Sequence, residues 1–399
     1  MALTSVEGRD ILQLPDYRDS LPTDQRRVFD RIFELRKVSV PLVYPSEEAK
    51  LALAGKFKVD PVLISQREVL RVTNQVWGEE TTFNPLRANR PLQLGSSKKS
   101  LESISQLESD NPQGDNCDFC TYPDKTPGDP FGDVKGEFCI SRANVAGYDG
   151  LHALILDPRV HNPRDLTADV ISDMIHTARP WFLKANEYAR QQGISDADYP
   201  FMMMNIYPRA GASVFHPHMQ ALLAIGEPYM KVRNIRNRMG DYQWLNKGRS
   251  YLTDLSECLE PLGLVEHVDR ATVVFNPVPI KESEVLVVSD DLEGLPNGSL
   301  SKAVARVIDW WRSIGVTSFN MAIYMPKLGE GLLSGDWYQF RPFARLVNRG
   351  PEGNNVADVA GMELYGSSVV ATDPFILADG FSKYLGQTRQ SLTGVNFFH

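Results

Sequence analysis

Residues 168–192 place Val170, Ile171, Met174, Ile175 and Ala178 on one face at helical spacing. Short apolar runs bounded by Pro and Gly lie on either side, at Leu151–Leu156 and 201–207. Runs this short read as buried strands, and the longer stretch as an amphipathic helix. Pro180 falls inside that helix and is expected to kink or divide it. Met219–Ile225 is a further strand. A similar order follows: strands at 272–275 and 285–288, an amphipathic helix at 300–314, then strands at 317–324, 338–347 and 367–371. Strand, strand, helix, strand, strand in both halves indicates an α+β protein of two tandem units, with antiparallel sheets flanked by helices. We find no repeat of sequence that accompanies this repeat of pattern. The expected division is a helical N-terminal extension over 1–80, a first unit over 81–230 and a second over 260–399.

The extension reads as helical for two reasons. Residues 23–37 carry Val28, Ile32, Phe33 and Leu35 among charges, with Thr23 as N-cap. Residues 60–77 carry Val62, Leu63, Val69, Leu70 and Val72 behind an Asp60-Pro61 start. Residues 92–116 are polar and read as a loop. The chain has 399 residues, 42% of them hydrophobic, enough to bury a core without disulfides. Its net charge of −8 argues against a nucleic-acid partner but not against a small basic pocket. No stretch approaches about 18 consecutive apolar residues, so no membrane span is expected. The first ten residues lack a basic segment followed by an apolar one, so no secretory signal is expected either. A cytoplasmic protein is the default.

Two motifs carry chemistry. Cys117 and Cys120 are spaced as half of a zinc site in a reducing compartment. The remaining ligands must come from elsewhere. His161 follows the strand Leu151–Leu156, and His216 opens a second histidine motif. Two thiolates and two imidazoles would close a tetrahedral site, leaving the metal structural. Cys139 and Cys258 lack a spaced partner and read as buried apolar residues. The second motif is His216-Pro217-His218-Met219-Gln220 at the entry to a strand. His216, His218 and Gln220 share one face there. An imidazole is a good nucleophile near neutral pH, and the Gln220 amide could donate to a phosphoryl oxygen. Gly211, just upstream, would let the backbone approach a phosphate closely.

Together these segments resemble the galactose-1-phosphate uridylyltransferase branch of the histidine-triad superfamily. Asn84-Pro85-Leu86-Arg87-Ala88-Asn89-Arg90-Pro91 is similar to two of its N-terminal elements fused by a deletion. Cys117 and Cys120 match its zinc pair, and Pro158 through His161 its zinc histidine. Asn205, Gly211, Ser213, His216, Pro217, His218 and Gln220 match one continuous run at the same spacing. The match covers roughly 83–225, and later residues only in pattern. The resemblance implies two histidine-triad-like units and these roles. His218 would be the nucleophile that becomes nucleotidylated. Cys117, Cys120, His161 and His216 would bind structural zinc. Ser213 and Gln220 would contact the transferring phosphoryl group. Asn205, Arg87 and Arg90 would bind the nucleotide and its phosphates, which suits the fork of guanidinium.

A glutamine at 220, where the superfamily's hydrolases carry histidine, resembles the transferases and phosphorylases. A neutral amide gives attacking water no base, so a covalent adduct could survive until an acceptor arrives. The family's second metal site is not matched: Arg341, Phe343 and Tyr324 stand where its histidines would fall. The leading expectation is a nucleotidyltransferase that moves NMP from a nucleotide sugar to a sugar phosphate by a ping-pong route, possible as a homodimer. The alternative is a phosphorylase of NDP-sugars or dinucleoside polyphosphates with inorganic phosphate as acceptor. Outside catalysis, the alternative is an inactive nucleotide-binding regulator. Arg341 and Arg345 would favour a charged acceptor if they faced the cleft.

Overall fold

The computed structural model describes residues 8–89, 106–122, 124–291, 293–330, 332–333, 335–350 and 359–393. The N-terminal extension contains α1 (Leu14–Ser20), α2 (Thr23–Ile32), β1 (Phe33–Pro41), α3 (Glu47–Phe57), β2 (Gln66–Asn74) and β3 (Glu79–Phe83). It is therefore mixed rather than wholly helical. The helix expected from 23 stops at Ile32, and the one expected over 60–77 is a strand. Asp60 Oδ1 accepts the Val62 N–H and makes Asp60-Pro61 a turn instead of a helix start. After it, Leu70, Val72 and Asn74 are buried while Arg71 is exposed, which is period two. Val69, Val72 and Thr73 are also β-branched, so they suit the strand that pairs with β1.

The first unit contributes β4 (Ile140–Ala143), β5 (Leu151–Leu156), α4 (Ala168–Gln191), β6 (Ala197–Asn205) and β7 (Met219–Ile225). Helices α5 (Met230–Leu245) and α6 (Tyr251–Leu259) follow. The second unit contributes β8 (Val265–Val268), β9 (Ala271–Phe275), β10 (Val285–Ser289), α7 (Gly298–Ser313), β11 (Phe319–Tyr324) and β12 (Phe343–Asn348). The described chain ends with α8 (Gly361–Tyr365), β13 (Ser368–Val370) and α9 (Pro374–Thr393). The strand expected over 338–347 begins only at Phe343. Residues 335–338 form a turn closed by the Tyr338 N–H to the Gly335 carbonyl.

Both units lie in one nine-stranded sheet of order β4-β5-β7-β6-β11-β12-β10-β9-β8, antiparallel throughout. They meet at β6 and β11. A smaller sheet of order β1-β2-β3-β13 belongs to the extension and the C-terminal region. Thr167 and Asn297 cap α4 and α7 through their side chains. These two helices pack on each other and on the large sheet. Pro180 does not divide α4. It lies on the exposed side, where water can satisfy the carbonyl it frees. Buried Ile175, Ala178, Trp181 and Phe182 around it keep the helix seated.

Alternation along the strands divides the two faces. Met202, Met204, Met219, Ala221 and Leu223 join the main core. His218, Gln220, Asn205 and Met203 alternate to the opposite face, where Asn205 and Met203 are only partly covered.

The units also share a faint sequence repeat that patterning alone did not reveal. Both run strand, helix, strand, strand, in sheet orders β5-β7-β6 and β10-β12-β11. Phe215-x-Pro217 then corresponds to Phe340-x-Pro342, which sets Phe343 at the place of His218 and Arg345 at the place of Gln220. The registers agree: Gln220 lies opposite Leu154 on β5, and Arg345 opposite Leu286 on β10.

In the second unit that place is filled. Arg345 pairs with Glu284 at 2.6 Å and with both oxygens of Glu79 at 2.7 and 3.0 Å. Its guanidinium lies 5.1 Å from the centre of the Trp77 ring, and Phe343 is stacked between Trp77 and Tyr324. Glu79 and Trp77 come from the turn and strand of the extension, which thus plugs the second unit. Arg345 is consequently spoken for, and Arg341 is largely covered beside Asp290 and Thr253. The condition that these arginines face the cleft is therefore not met.

Candidate functional site

Cys117, Cys120, His161 and His216 converge, with their ligand atoms all within 4.8 Å of one another. Their Sγ to Nδ1 separations are 3.6 Å for Cys117 and His216, 3.3 Å for Cys120 and His161, and 3.5 Å for Cys120 and His216. A tetrahedral cation with sulfur at about 2.3 Å and nitrogen at about 2.0 Å sets such neighbours roughly 3.5 Å apart. The four residues therefore fit a metal ion. Both imidazoles turn Nδ1 inward and donate their Nε2 protons to main-chain carbonyls. His161 donates to Asn111 at 2.7 Å and His216 to Asp157 at 2.9 Å. Such outer bonds fix the tautomer that a metal requires. Burial pushes His216 down to about 4, which keeps it neutral, and pushes the Cys120 thiol up. A cation is what would let that thiol ionise.

The local fold explains this convergence. Asp157 ends β5, and its carboxylate is held by the main-chain N–H and guanidinium of Arg159. Its carbonyl is thereby aimed at His216. Phe119, between the two cysteines, meets the rings of His216 and His218 edge to face at 5.6 and 5.3 Å.

His218 is buried, and its Nδ1–H donates to the His216 carbonyl at 2.9 Å. That leaves the lone pair on Nε2, and burial holds the ring below its ordinary value, hence neutral at pH 7. Gln220 lies one pleat further on the same face. On β5, His152 sits opposite Leu222, diagonal to Gln220. His152 Nδ1 accepts the Tyr148 N–H at 3.1 Å, so its proton is on Nε2. Burial lowers the His152 pKa, and a hydrogen bond with Gln220 partly offsets this.

The other expected residues are placed less tightly. Gly211 takes φ +86°, and a Cβ there would meet nothing within 4 Å. The positive φ favours glycine there. Ser213 is exposed on the same loop. Tyr207, where the loop begins, holds φ 69° and ψ 159°, a conformation otherwise left to glycine. Arg87 is exposed, and its guanidinium makes no hydrogen bond or ion pair among the described residues. Arg90 lies outside the described residues, as does most of the polar stretch expected as a loop. Sequence reasoning missed His152, Asp157 and Asn111. Only strand register and chain path bring them in, and no local motif marks them.

The fold is shared with solved proteins named as an ADP-glucose phosphorylase, a galT-like protein and a uridylyltransferase. No protein-family model and no curated protein matches the sequence. Solved structures match in fold. An ADP-glucose phosphorylase from Arabidopsis thaliana, with bound ADP-glucose, aligns with TM-score 0.57 and 15% identity over 77% of this chain and 97% of that chain. A galT-like protein from Arabidopsis thaliana aligns with TM-score 0.52 and 15% identity over 67% and 92%. A uridylyltransferase aligns with TM-score 0.50 and 14% identity over 79% and 98%. No described helix is long and apolar enough to cross a membrane.

Proposed function

We propose that the protein transfers a nucleoside monophosphate from a nucleotide donor to a phosphate acceptor through a nucleotidyl adduct on His218. One observation carries this: Nδ1 of His218 is tied to the His216 carbonyl, which leaves Nε2 without a hydrogen bond among the described residues, on the face that Gln220 shares. In the first step Nε2 attacks the α-phosphorus of the donor. The N–P bond forms as the P–O bond to the leaving phosphate breaks, and that oxygen keeps the electron pair. In the second step an acceptor phosphate oxygen attacks the same phosphorus, and the electron pair of the N–P bond returns to Nε2. Nδ1 keeps its proton throughout, so the carbonyl of His216 stabilises the charge that the ring gains. Gln220 would donate to a phosphoryl oxygen, with His152 setting its orientation. Ser213, Gly211, Asn205, Arg87 and Arg90 are the proposed surroundings of the nucleotide and its phosphates.

Zinc is the proposed occupant of Cys117, Cys120, His161 and His216. It would anchor the strand approach that carries His218 and supply no chemistry of its own. The fold neighbours include proteins named as a phosphorylase and a uridylyltransferase.

Intact mass after brief exposure to nucleotide sugars and dinucleoside polyphosphates, without acceptor or acid, tests the reading. A gain of one nucleoside monophosphate is expected, and its loss on adding phosphate or a sugar phosphate separates phosphorylase from transferase. No adduct and no turnover with any donor, alongside a thermal shift by the same nucleotides, would make the protein a binder. Cys117→Ser is expected to lower metal content below one per chain and to lower the melting temperature. Elemental analysis and thermal melting check this, and a protein equally stable after exhaustive chelation would exclude a structural metal.

A further inference from the structure

The open face of the sheet carries a row of polar side chains that crosses from one unit to the other. Asn205 pairs with Asn320 across the β6–β11 seam. Met204 pairs with Met219, so Asn205 lies level with His218 one step further along. Asn320 Nδ2 donates to Asn205 Oδ1 at 2.6 Å and to the Ala210 carbonyl at 2.7 Å. Asn320 Oδ1 accepts from Arg349 Nη1 at 2.5 Å.

These partners leave no freedom in how the amides face. A guanidinium only donates, so the oxygen of Asn320 must face Arg349. A carbonyl only accepts, so its nitrogen must face Ala210. The same nitrogen then requires the oxygen of Asn205. The Nδ2 of Asn205 is left outward, without a hydrogen bond among the described residues, on the face and at the level of His218. Arg349 is itself clamped. Its N–H donates to the Ser318 carbonyl, and the Ser318 hydroxyl donates to the Ile206 carbonyl.

Resting on the transfer reaction proposed above, we propose that Asn320 and Arg349 are positioning residues for the first unit's site. They hold the Asn205 carboxamide so that its N–H donates to an oxygen of the phosphoryl group on His218. The second unit, plugged at its own equivalent place, thus serves the nucleotide of the first. A donor there stabilises the charge on the phosphoryl oxygens, while an oxygen turned the same way would repel it.

A double-mutant cycle on single-turnover adduct formation tests this. Asn320→Asp keeps an acceptor for Arg349 but cannot donate to Asn205. The Asn205 amide should turn over and present its oxygen to the phosphoryl group. Adduct formation is expected to slow by about 10- to 100-fold, through the rate at saturating donor more than through KM. Asn320→Ala only releases the amide and should cost less. In an Asn205→Ala background both changes should have little further effect. If the losses instead multiply, or if Asn320→Asp reacts at the wild-type rate, the proposal is overturned. Should Asn320→Asp not fold, the Asn320→Ala arm of the cycle decides by the same criterion. Absence of any adduct in the wild type would overturn the functional reading and this proposal with it. A wild type that reacts while the cycle shows no coupling removes the proposal alone.

Discussion

His218→Asn is expected to give a folded, metal-loaded protein that forms no nucleotidyl adduct. Asparagine keeps a side-chain N–H that can reach the His216 carbonyl, so the strand entry is preserved. It offers no nucleophilic lone pair where Nε2 stood. Because the covalent step has no substitute, turnover should fall by roughly a thousandfold or more. Metal content should not change, because the proposed ligand set is His161 and His216 with the two cysteines. Intact mass, elemental analysis and a melting curve on one preparation check all three statements. Loss of metal from this variant would show that the two histidines of the motif divide their work differently.

Arg345→Met is expected to cost stability rather than chemistry. The change leaves Glu284, which is fully buried, without its 2.6 Å partner, and takes the arginine from both oxygens of the part-exposed Glu79. Breaking a buried pair from one side costs about 3–5 kcal/mol. The loss should depend on pH in a definite direction. Burial already raises the Glu284 carboxyl, and Arg345 is what opposes that rise. Without the arginine the folded-state pKa climbs further above the unfolded value. The neutral acid is then tolerated at low pH, and the penalty grows as pH rises through the folded pKa. Denaturant midpoints should show a smaller deficit near pH 5 than near pH 8. Adding Glu284→Leu should recover much of the stability, because an apolar side chain needs no partner. A deficit independent of pH would mean that Glu284 is not the group left exposed to the loss.

How much of this was legible beforehand depends on how local each feature is. The helix at 168–192 and the strand Met219–Ile225 were readable, since each satisfies its own period within one window. The Cys117–Cys120 half of the four-residue cluster and the His216–Gln220 segment were readable for the same reason: each lies in adjacent residues. Residues 60–77 misled because apolar Val62 and Leu63 lie in a turn and blur the alternation that starts at Gln66. The place of Arg345 stayed open because a charge in sequence carries no sign of what will cover it. Its partners Glu79 and Glu284 lie 266 and 61 residues away. His152 and Asn320 could not be found at all without strand register, since each gains its role only from what stands on the neighbouring strand.

The seam between the units has a kinetic consequence. From Phe201 against Tyr324 to Asn205 against Asn320, β6 and β11 are joined by a main-chain ladder at the middle of one sheet. The packed helices α4 and α7 brace it from behind. A hinge between the units would have to unzip that ladder, so the halves move as one body. Binding and release then fall to loops such as 207–215, whose excursions are faster than domain closure. On a floor that does not move, the proposed reaction would give the leaving group and the acceptor one berth. Their order in time would keep them apart, with the histidine holding the cargo between them.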